Sequence, residues 1–131
     1  MADTMQFDLV SPERSLASLQ ANEVMLPAAE GDMTVLPDHA PVITTLRPGV
    51  VKVKGPEGEA DFVVTGGFVE ITSEGVSVLA EQAHAGNEVK KADLESAYTF
   101  AREQAEKASD EDKSAAEKLV ADFAQLLEDM E

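Results

Sequence analysis

Residues 5–80 alternate between apolar and polar positions with a period of two. Phe7 and Leu9, for example, alternate with polar neighbours before the break at Ser11-Pro12. Alternation of this kind is typical of strands that bury one face and expose the other. The pattern predicts further strands, the first two of them on weaker alternation, at residues 16–19, 23–26, 33–36, 42–46, 50–54, 62–65, 68–72 and 76–80.

Turn-forming residues separate these runs at short intervals. Gly55-Pro56-Glu57-Gly58 and Ser73-Glu74-Gly75 have the composition of hairpin turns. Short strands with frequent turns predict an all-β N-terminal sandwich, a flattened barrel of about ten short antiparallel strands. No helix is predicted before residue 86.

The segment at residues 50–54 shows how such a strand divides its faces. Val51 and Val53 share one face, and Lys52 and Lys54 share the other. A half-buried strand requires this arrangement. We expect the two lysines to be solvated and to have no specific role.

Beyond residue 87 the apolar period lengthens to that of an α-helix. One helical face is predicted from Leu94, Ala97, Tyr98, Ala101, Ala105 and Ala108. A second face, flanked by Leu119 and Leu126, is predicted from Ala116, Val120, Phe123, Leu127 and Met130. Ser109 offers an N-cap, followed by acidic residues for the first turn of the second helix. The chain is therefore predicted to end in an antiparallel α-helical hairpin, with domains at 1–86 and 87–131.

The first helix of this hairpin has mostly alanine on its inner face. Alanine buries little area, so its contribution at about 25 cal/mol per Å² is small. The hairpin then depends on docking against the sandwich or against a partner, and it can move. The alternative is a fixed hairpin that completes the core, and the sequence leaves both open.

The composition narrows the class of function. The formal charge of −16 disfavours nucleic acid and anionic lipid headgroups as partners, and it favours basic proteins. The chain has no cysteine, which excludes disulfides, thiol nucleophiles and thiolate metal sites. No apolar run approaches the roughly 20 residues of a membrane span, so we expect no direct membrane insertion. Asp3 argues against a basic presequence, so we expect an unprocessed chain of one domain with an appendage.

The candidate chemical groups do not combine into a catalytic site. Neither His39 nor His84 is accompanied by a nucleophile or by repeated metal-ligand spacing. The 26 carboxylates give no basis for choosing an acid–base pair. Gly66-Gly67 lacks the lysine and helix start of a phosphate-binding loop, and a strand bend is the simpler interpretation. We therefore predict no enzyme activity of its own, no cofactor and no metal.

The stretch at residues 30–54 is the most distinctive part of the sequence. Gly31 allows a tight turn, while Pro37, Pro41 and Pro48 restrict the backbone. A loop with these restrictions loses little entropy on binding, so it suits docking against a partner surface.

Motifs in this stretch resemble those of the epsilon subunit of rotary F-type ATP synthases. An acidic-Gly turn leads into Pro37-Asp38-His39-Ala40-Pro41, followed by Thr44-Thr45-Leu46-Arg47-Pro48-Gly49. Further support comes from Gly66-Gly67-Phe68-Val69-Glu70-Ile71 and from Val76-Ser77-Val78-Leu79-Ala80. One departure is Thr34, where members of the family usually carry a second glycine.

The resemblance implies a non-catalytic central-stalk subunit that couples the membrane c-ring to the gamma subunit of a proton-translocating ATP synthase during rotary catalysis. It implies that Glu30, Gly31, Asp32 and His39 meet the polar loops of the c-ring, while a sandwich face packs on the gamma subunit. It also admits a contact between the hairpin and the catalytic subunits. The implied location is peripheral, at the cytoplasmic face of the bacterial plasma membrane.

Some members of this family bind ATP in the hairpin through an Ile/Leu-Asp-x-x-Arg-Ala motif. The best match here is at residues 92–97, where Ser96 replaces the arginine, so no nucleotide-binding residue is assigned. Others inhibit ATP hydrolysis through a basic hairpin, whereas residues 87–131 carry 13 acidic and 6 basic residues. A nucleotide-responsive regulator or inhibitor of ATP hydrolysis is the alternative function.

Overall fold

The computed structural model describes residues 4–86 and 91–129. The chain divides into two compact units, with the division between residues 88 and 89. The described part of the first unit is built from strands and that of the second from two helices, which confirms the predicted sandwich and hairpin. The strands are β1 (Met5–Val10), β2 (Ser15–Ala21), β3 (Glu23–Ala28), β4 (Gly31–Val35), β5 (Val42–Leu46), β6 (Gly49–Gly55), β7 (Gly58–Val64), β8 (Gly67–Ile71), β9 (Gly75–Ala80) and β10 (Ala83–Ala85).

The strands form one continuous hydrogen-bonded path. Its order is β10-β7-β6-β3-β5-β8-β9-β1-β2, and β4 pairs with β3 beside this path. The two ends approach each other, because β2 lies close to β6 and β10. The first unit is therefore a flattened barrel, as the sequence predicts.

Strand β3 joins the two halves of the barrel. Its start pairs with β6 at residues 23–25, and its last residue, Ala28, pairs with Leu46 of β5. Strands β5 and β6 are separated only by Arg47 and Pro48. The chain thus passes from β5 to β6 through a short bend. Proline favours such a bend because it restricts its own φ and the conformation of the preceding residue.

The core has the alternation that the sequence predicts. Phe7 and Leu9 of β1 are fully buried, as is Val51, whereas Lys52 is exposed. The Phe7 and Phe62 rings stack with centroids 6.1 Å apart. Burial of one face of each strand supplies the main stabilising free energy of the barrel.

Two strand features differ from the sequence prediction. Strands β1 and β9 pair in parallel, so the sheet is not wholly antiparallel. Strand β10 was not predicted, because a three-residue strand is too short to show a period. Pairing between strands that are distant along the chain has no local sequence signal. The prediction of antiparallel strands throughout is therefore wrong for β1 and β9.

The second unit contains α1 (Lys91–Lys107) and α2 (Lys113–Asp129), which pack against each other. Leu94 and Ala101 are buried on α1, with Ala97, Tyr98 and Ala105 half-buried on the same predicted face. On α2 the buried residues are Phe123 and Leu126, while Leu127 is only half-buried. The predicted face of α2 is therefore rotated slightly, and Met130 lies outside the described residues.

The loop between the helices shows the predicted cap in a modified position. The Ser109 hydroxyl oxygen accepts a hydrogen bond from the Asp112 backbone N–H at 3.3 Å. The helix begins only at Lys113, and its first turn contains no acidic residue. The prediction that acidic residues occupy that first turn is wrong, because residues 110–112 form the preceding turn.

Candidate partner-binding surfaces

Three of the four predicted site residues lie together at the β3–β4 turn. We call residues 29–32 the rim turn. Glu30 and Gly31 are exposed, and Asp32, also exposed, is the second residue of β4. Gly31 has a φ of +144°, which favours glycine. Among the described residues other than its two chain neighbours, none has an atom within 4 Å of a Cβ placed there. The turn therefore projects from the barrel without side-chain packing at Gly31.

His39 lies on a separate segment, the β4–β5 connection at residues 36–41. Asp38 turns this segment with a φ of +67°, a left-handed conformation that aspartate tolerates. His39 is half-buried, and its Nδ1 donates to the Ala40 carbonyl oxygen at 2.7 Å. In residues 4–86 and 91–129 no hydrogen bond or ion pair joins His39 to Glu30 or Asp32.

A groove of about 300 Å³ separates β4 from β5 next to the rim turn. Met33 and Val42 contribute apolar side chains, and Glu30 and Asp32 contribute carboxylates. An acidic edge beside an apolar floor suits a polar or basic loop of another protein.

Sequence reasoning missed the role of Arg47. Its guanidinium forms an ion pair with Asp32 and donates a hydrogen bond to the Ala28 carbonyl oxygen. The only sequence signal is the position of Arg47 directly after β5, which does not reveal that the rim turn lies beside it. Asp32 is thus engaged within the chain, although 69% of its side chain is exposed.

A second surface is apolar and lies on the outward face of β5, β8 and β9. We call Ile43, Phe68 and Leu79 the apolar face; their exposed fractions are 74%, 58% and 58%. Phe68 stands directly opposite Leu79, and Leu79 stands opposite Val10 of β1. The sequence analysis expected one sandwich face to bind a partner but assigned no residues to it, although Phe68 and Leu79 both occupy the outward positions of alternating strands.

The residues considered for phosphate and nucleotide binding in the sequence analysis lie in the described part of the chain. Gly66 and Gly67 form a strand bend, as predicted, with φ angles of +137° and +145°. Ser96 donates to the Ala92 carbonyl oxygen of its own helix at 3.3 Å. Within residues 4–86 and 91–129, no group of three or more His, Asp or Glu side chains is arranged to hold a metal ion. Neither described helix has the length and apolarity that a membrane crossing requires.

Residues 4–86 match the family described as ATP synthase, Delta/Epsilon chain, beta-sandwich domain. The ATP synthase epsilon chain of Ruegeria sp. (strain TM1040) is 56% identical over 131 residues, which are 100% of this chain and 94% of that protein. The chain belongs to the ATP synthase epsilon-chain family. The epsilon chain of Paracoccus denitrificans (strain Pd 1222) is 52% identical, over 100% of this chain and 88% of that one. As an epsilon chain it is a subunit of the ATP synthase complex and not itself the catalyst.

Two solved structures share the fold at low sequence identity. One is a chain in the Euglena gracilis mitochondrial ATP synthase, OSCP/F1/c-ring, with a TM-score of 0.73 and 20% identity over 98% of this chain and 82% of that one. The other is a chain in the central stalk/c-ring of the Tetrahymena thermophila mitochondrial ATP synthase, with a TM-score of 0.54 and 19% identity. That match covers 66% of this chain and 69% of the other.

Proposed function

We propose that this epsilon chain works in the central stalk, where it couples rotation of the membrane c-ring to the gamma subunit. Membership of the epsilon-chain family carries this proposal. Two surfaces of different chemistry on one β barrel support it, because a coupling subunit has to hold two partners at once. The rim turn is acidic and exposed, and the apolar face is hydrophobic and exposed.

The apolar face is the surface we assign to the gamma subunit. Exposed apolar side chains grouped on neighbouring strands mark protein contacts, and lasting contacts are more apolar than transient ones. Phe68 and Leu79 are adjacent across two paired strands, so they move as one rigid surface. A contact that has to carry torque needs this rigidity.

The test of this surface is a pair of polar substitutions, Phe68→Ser and Leu79→Ser, in the full chain. Co-purification with the gamma subunit is expected to be lost, while the far-UV circular dichroism spectrum stays unchanged. Leu119→Ser on α2 is the control, since Leu119 is an exposed apolar residue of the other unit. Normal co-purification of the double variant would rule out the apolar face as the gamma contact.

The rim turn and His39 are the residues we assign to the polar loops of the c-ring. The exposed carboxylate of Glu30 and the groove between β4 and β5 support this assignment. The test replaces Glu30→Gln, Asp32→Asn and His39→Gln together and measures binding to membrane sectors depleted of this chain. A weaker affinity with an intact fold is expected.

The matched control for the rim variant removes two negative charges elsewhere. Glu57→Gln with Glu74→Gln changes exposed acids in the β6–β7 and β8–β9 turns. If both sets of substitutions weaken binding equally, the effect comes from net charge, and the rim turn is not a specific contact. If neither weakens it, the c-ring contact lies elsewhere.

The location that follows is peripheral, at the cytoplasmic face of the bacterial plasma membrane, with attachment through the partner subunits. A chain with a formal charge of −16 is repelled by anionic lipid headgroups, so protein contacts have to hold it there. Purified chain is expected to bind membranes that contain the other ATP synthase subunits and to remain in the supernatant with vesicles of the same lipids alone.

A further inference from the structure

Arg47 connects three separate points near the rim turn. Its backbone N–H donates to the Pro27 carbonyl oxygen at 2.9 Å. Its guanidinium donates to the Ala28 carbonyl oxygen and pairs with the Asp32 carboxylate. Arginine suits this task because its planar group presents several N–H donors at fixed angles, whereas lysine offers a single charged centre.

The rim turn closes the β3–β4 hairpin, in which Ala28 pairs with Gly31 and Pro27 with Asp32. In the described part of the chain, few contacts other than those of Arg47 fix this hairpin against β5. The sheet pairing between β3 and β5 is the single pair Ala28 and Leu46, followed by one backbone bond from Ala29 N–H to the Thr45 carbonyl oxygen at 2.9 Å. Apart from its two chain neighbours, no described residue has an atom within 4 Å of a Cβ placed on Gly31. Of the described strands, β4 pairs only with β3, and the groove lies along its other side. The contacts of Arg47 are therefore a large share of what fixes the turn relative to β5.

The carboxylates of Glu30 and Asp32 differ in their engagement. Asp32 is bound by the guanidinium of Arg47, whose side chain is only 25% exposed. Glu30 is exposed, and among the described residues no ion pair engages it. A partner that bound Asp32 directly would compete with Arg47, whereas Glu30 is open to it.

We propose that Arg47 is a positioning residue for the rim turn: by binding the Ala28 carbonyl and the Asp32 carboxylate together, it holds Glu30 and Gly31 in the orientation that the partner binds. Within the rim turn, Asp32 then acts through Arg47, and Glu30 and Gly31 are the residues that meet the c-ring. This inference rests on the proposed function of the rim turn. It predicts that substitutions at Arg47 and Asp32 weaken binding through the same contact, so that their effects on affinity do not add.

The test is a double-mutant cycle on the full chain with Arg47→Met, Asp32→Asn and the double variant. The measurement is affinity for membrane sectors depleted of this chain. Each single variant is expected to bind about fivefold more weakly, on the scale of an exposed charged pair with its hydrogen bonds. The double variant is expected to bind no more weakly than Arg47→Met, because coupled residues are not additive. Losses that multiply would show that Asp32 contacts the partner itself, which overturns the proposal.

Two further variants separate positioning from general effects. Arg14→Met removes an exposed arginine from the β1–β2 turn and is expected to leave affinity unchanged. Arg47→Lys keeps the charge but loses the second donor geometry, so its affinity is expected to fall between those of the wild type and Arg47→Met. Arg47→Lys can also replace Arg47→Met in the test if Arg47→Met does not fold.

A second readout needs no partner. Amide hydrogen exchange of Ala29 in the free chain reports the bond to Thr45, and it is expected to speed up about tenfold in Arg47→Met as local opening becomes easier. The amide of the buried residue Val78 is the internal control. Unchanged exchange at Ala29 would contradict the positioning role. If the wild type fails to bind membrane sectors while exchange at Ala29 responds, the proposed c-ring contact is wrong and the positioning role of Arg47 within the chain remains.

Discussion

Gly67 of β8 lies so close to Leu79 of β9 that a Cβ at position 67 would overlap the Leu79 carbonyl oxygen. It would also lie 2.8 Å from the Ala80 Cα. Gly67 has a φ of +145° as well, a conformation that side chains rarely adopt. The bend between β7 and β8 therefore needs glycine for both its backbone angle and its space.

Gly67→Ala is expected to lower the free energy of unfolding by about 3–5 kcal/mol, since strain and overlap add. Gly58→Ala is the matched control: Gly58 has a φ of +128°, but in the described part of the chain a Cβ there would meet no atom within 4 Å beyond its two chain neighbours. Strain alone predicts about 1–2 kcal/mol for that variant. Chemical denaturation of the full chain measures both, and equal losses would show that the close approach to Leu79 does not matter.

The sequence predicted the strands because each buries one face. Val51 and Val53 are buried as predicted, and Lys52 and Lys54 are exposed. The Lys54 Nζ lies 3.6 Å from Glu23 Oε2. An ion pair this exposed contributes little to stability, which agrees with the expectation that the lysine is solvated. Local alternation is sufficient here because the side-chain period of a strand is fixed by its backbone.

The surfaces were harder to predict, because they depend on which elements become neighbours. Alternation shows that Phe68 and Leu79 share the outward face of their strands, but it does not show whether another element covers that face. The contact between Arg47 and Asp32 likewise arises because β3 and β5 meet at Ala28. No period in the sequence encodes these meetings, so the motif indicated the region but not its internal bonds.

Truncation after Gly86 is expected to leave a folded β barrel. Among residues 4–86 and 91–129, the buried hydrophobic cluster of the first unit contains none beyond Ala83. The Gly86 N–H donates to the Asp61 carbonyl oxygen at 2.7 Å. The truncated chain is therefore expected to unfold in one cooperative transition, measured by circular dichroism. ATP synthesis in membranes that carry it is expected to stay coupled. Loss of coupling despite normal assembly would show that the helices have a part in torque transmission.

Binding of Mg-ATP by the hairpin is expected to be absent. Ser96 occupies the position at which nucleotide-binding members carry arginine, and its hydroxyl is bonded to the Ala92 carbonyl oxygen. Without that guanidinium the phosphates lose a bidentate charged partner, while Glu95 adds repulsion. Calorimetry is expected to show no saturable heat up to about 1 mM Mg-ATP. A dissociation constant of that size corresponds to a binding free energy of only about 4 kcal/mol. Saturable binding below that concentration would favour the nucleotide-responsive alternative.

The cap at Ser109 provides a test of the helical unit by itself. The Ser109 hydroxyl accepts from the Asp112 N–H at 3.3 Å and donates to the Asp112 carboxylate at 3.1 Å, so one side chain satisfies a backbone donor and orders the turn before α2. Ser109→Ala removes both bonds and is expected to destabilise α2 by about 1 kcal/mol.

Ser114→Ala is the matched control for the cap. Ser114 is an exposed serine in the first turn of α2, where alanine has the higher helix propensity. The expected result is faster amide exchange at Asp112 and Lys113 in Ser109→Ala, with unchanged or slower exchange in Ser114→Ala. If the two variants exchange alike, packing between α1 and α2 fixes the start of the helix and the hydroxyl does not. In that case the hairpin loop would tolerate substitution, and the register of the two helices would depend on buried residues such as Leu94 and Phe123.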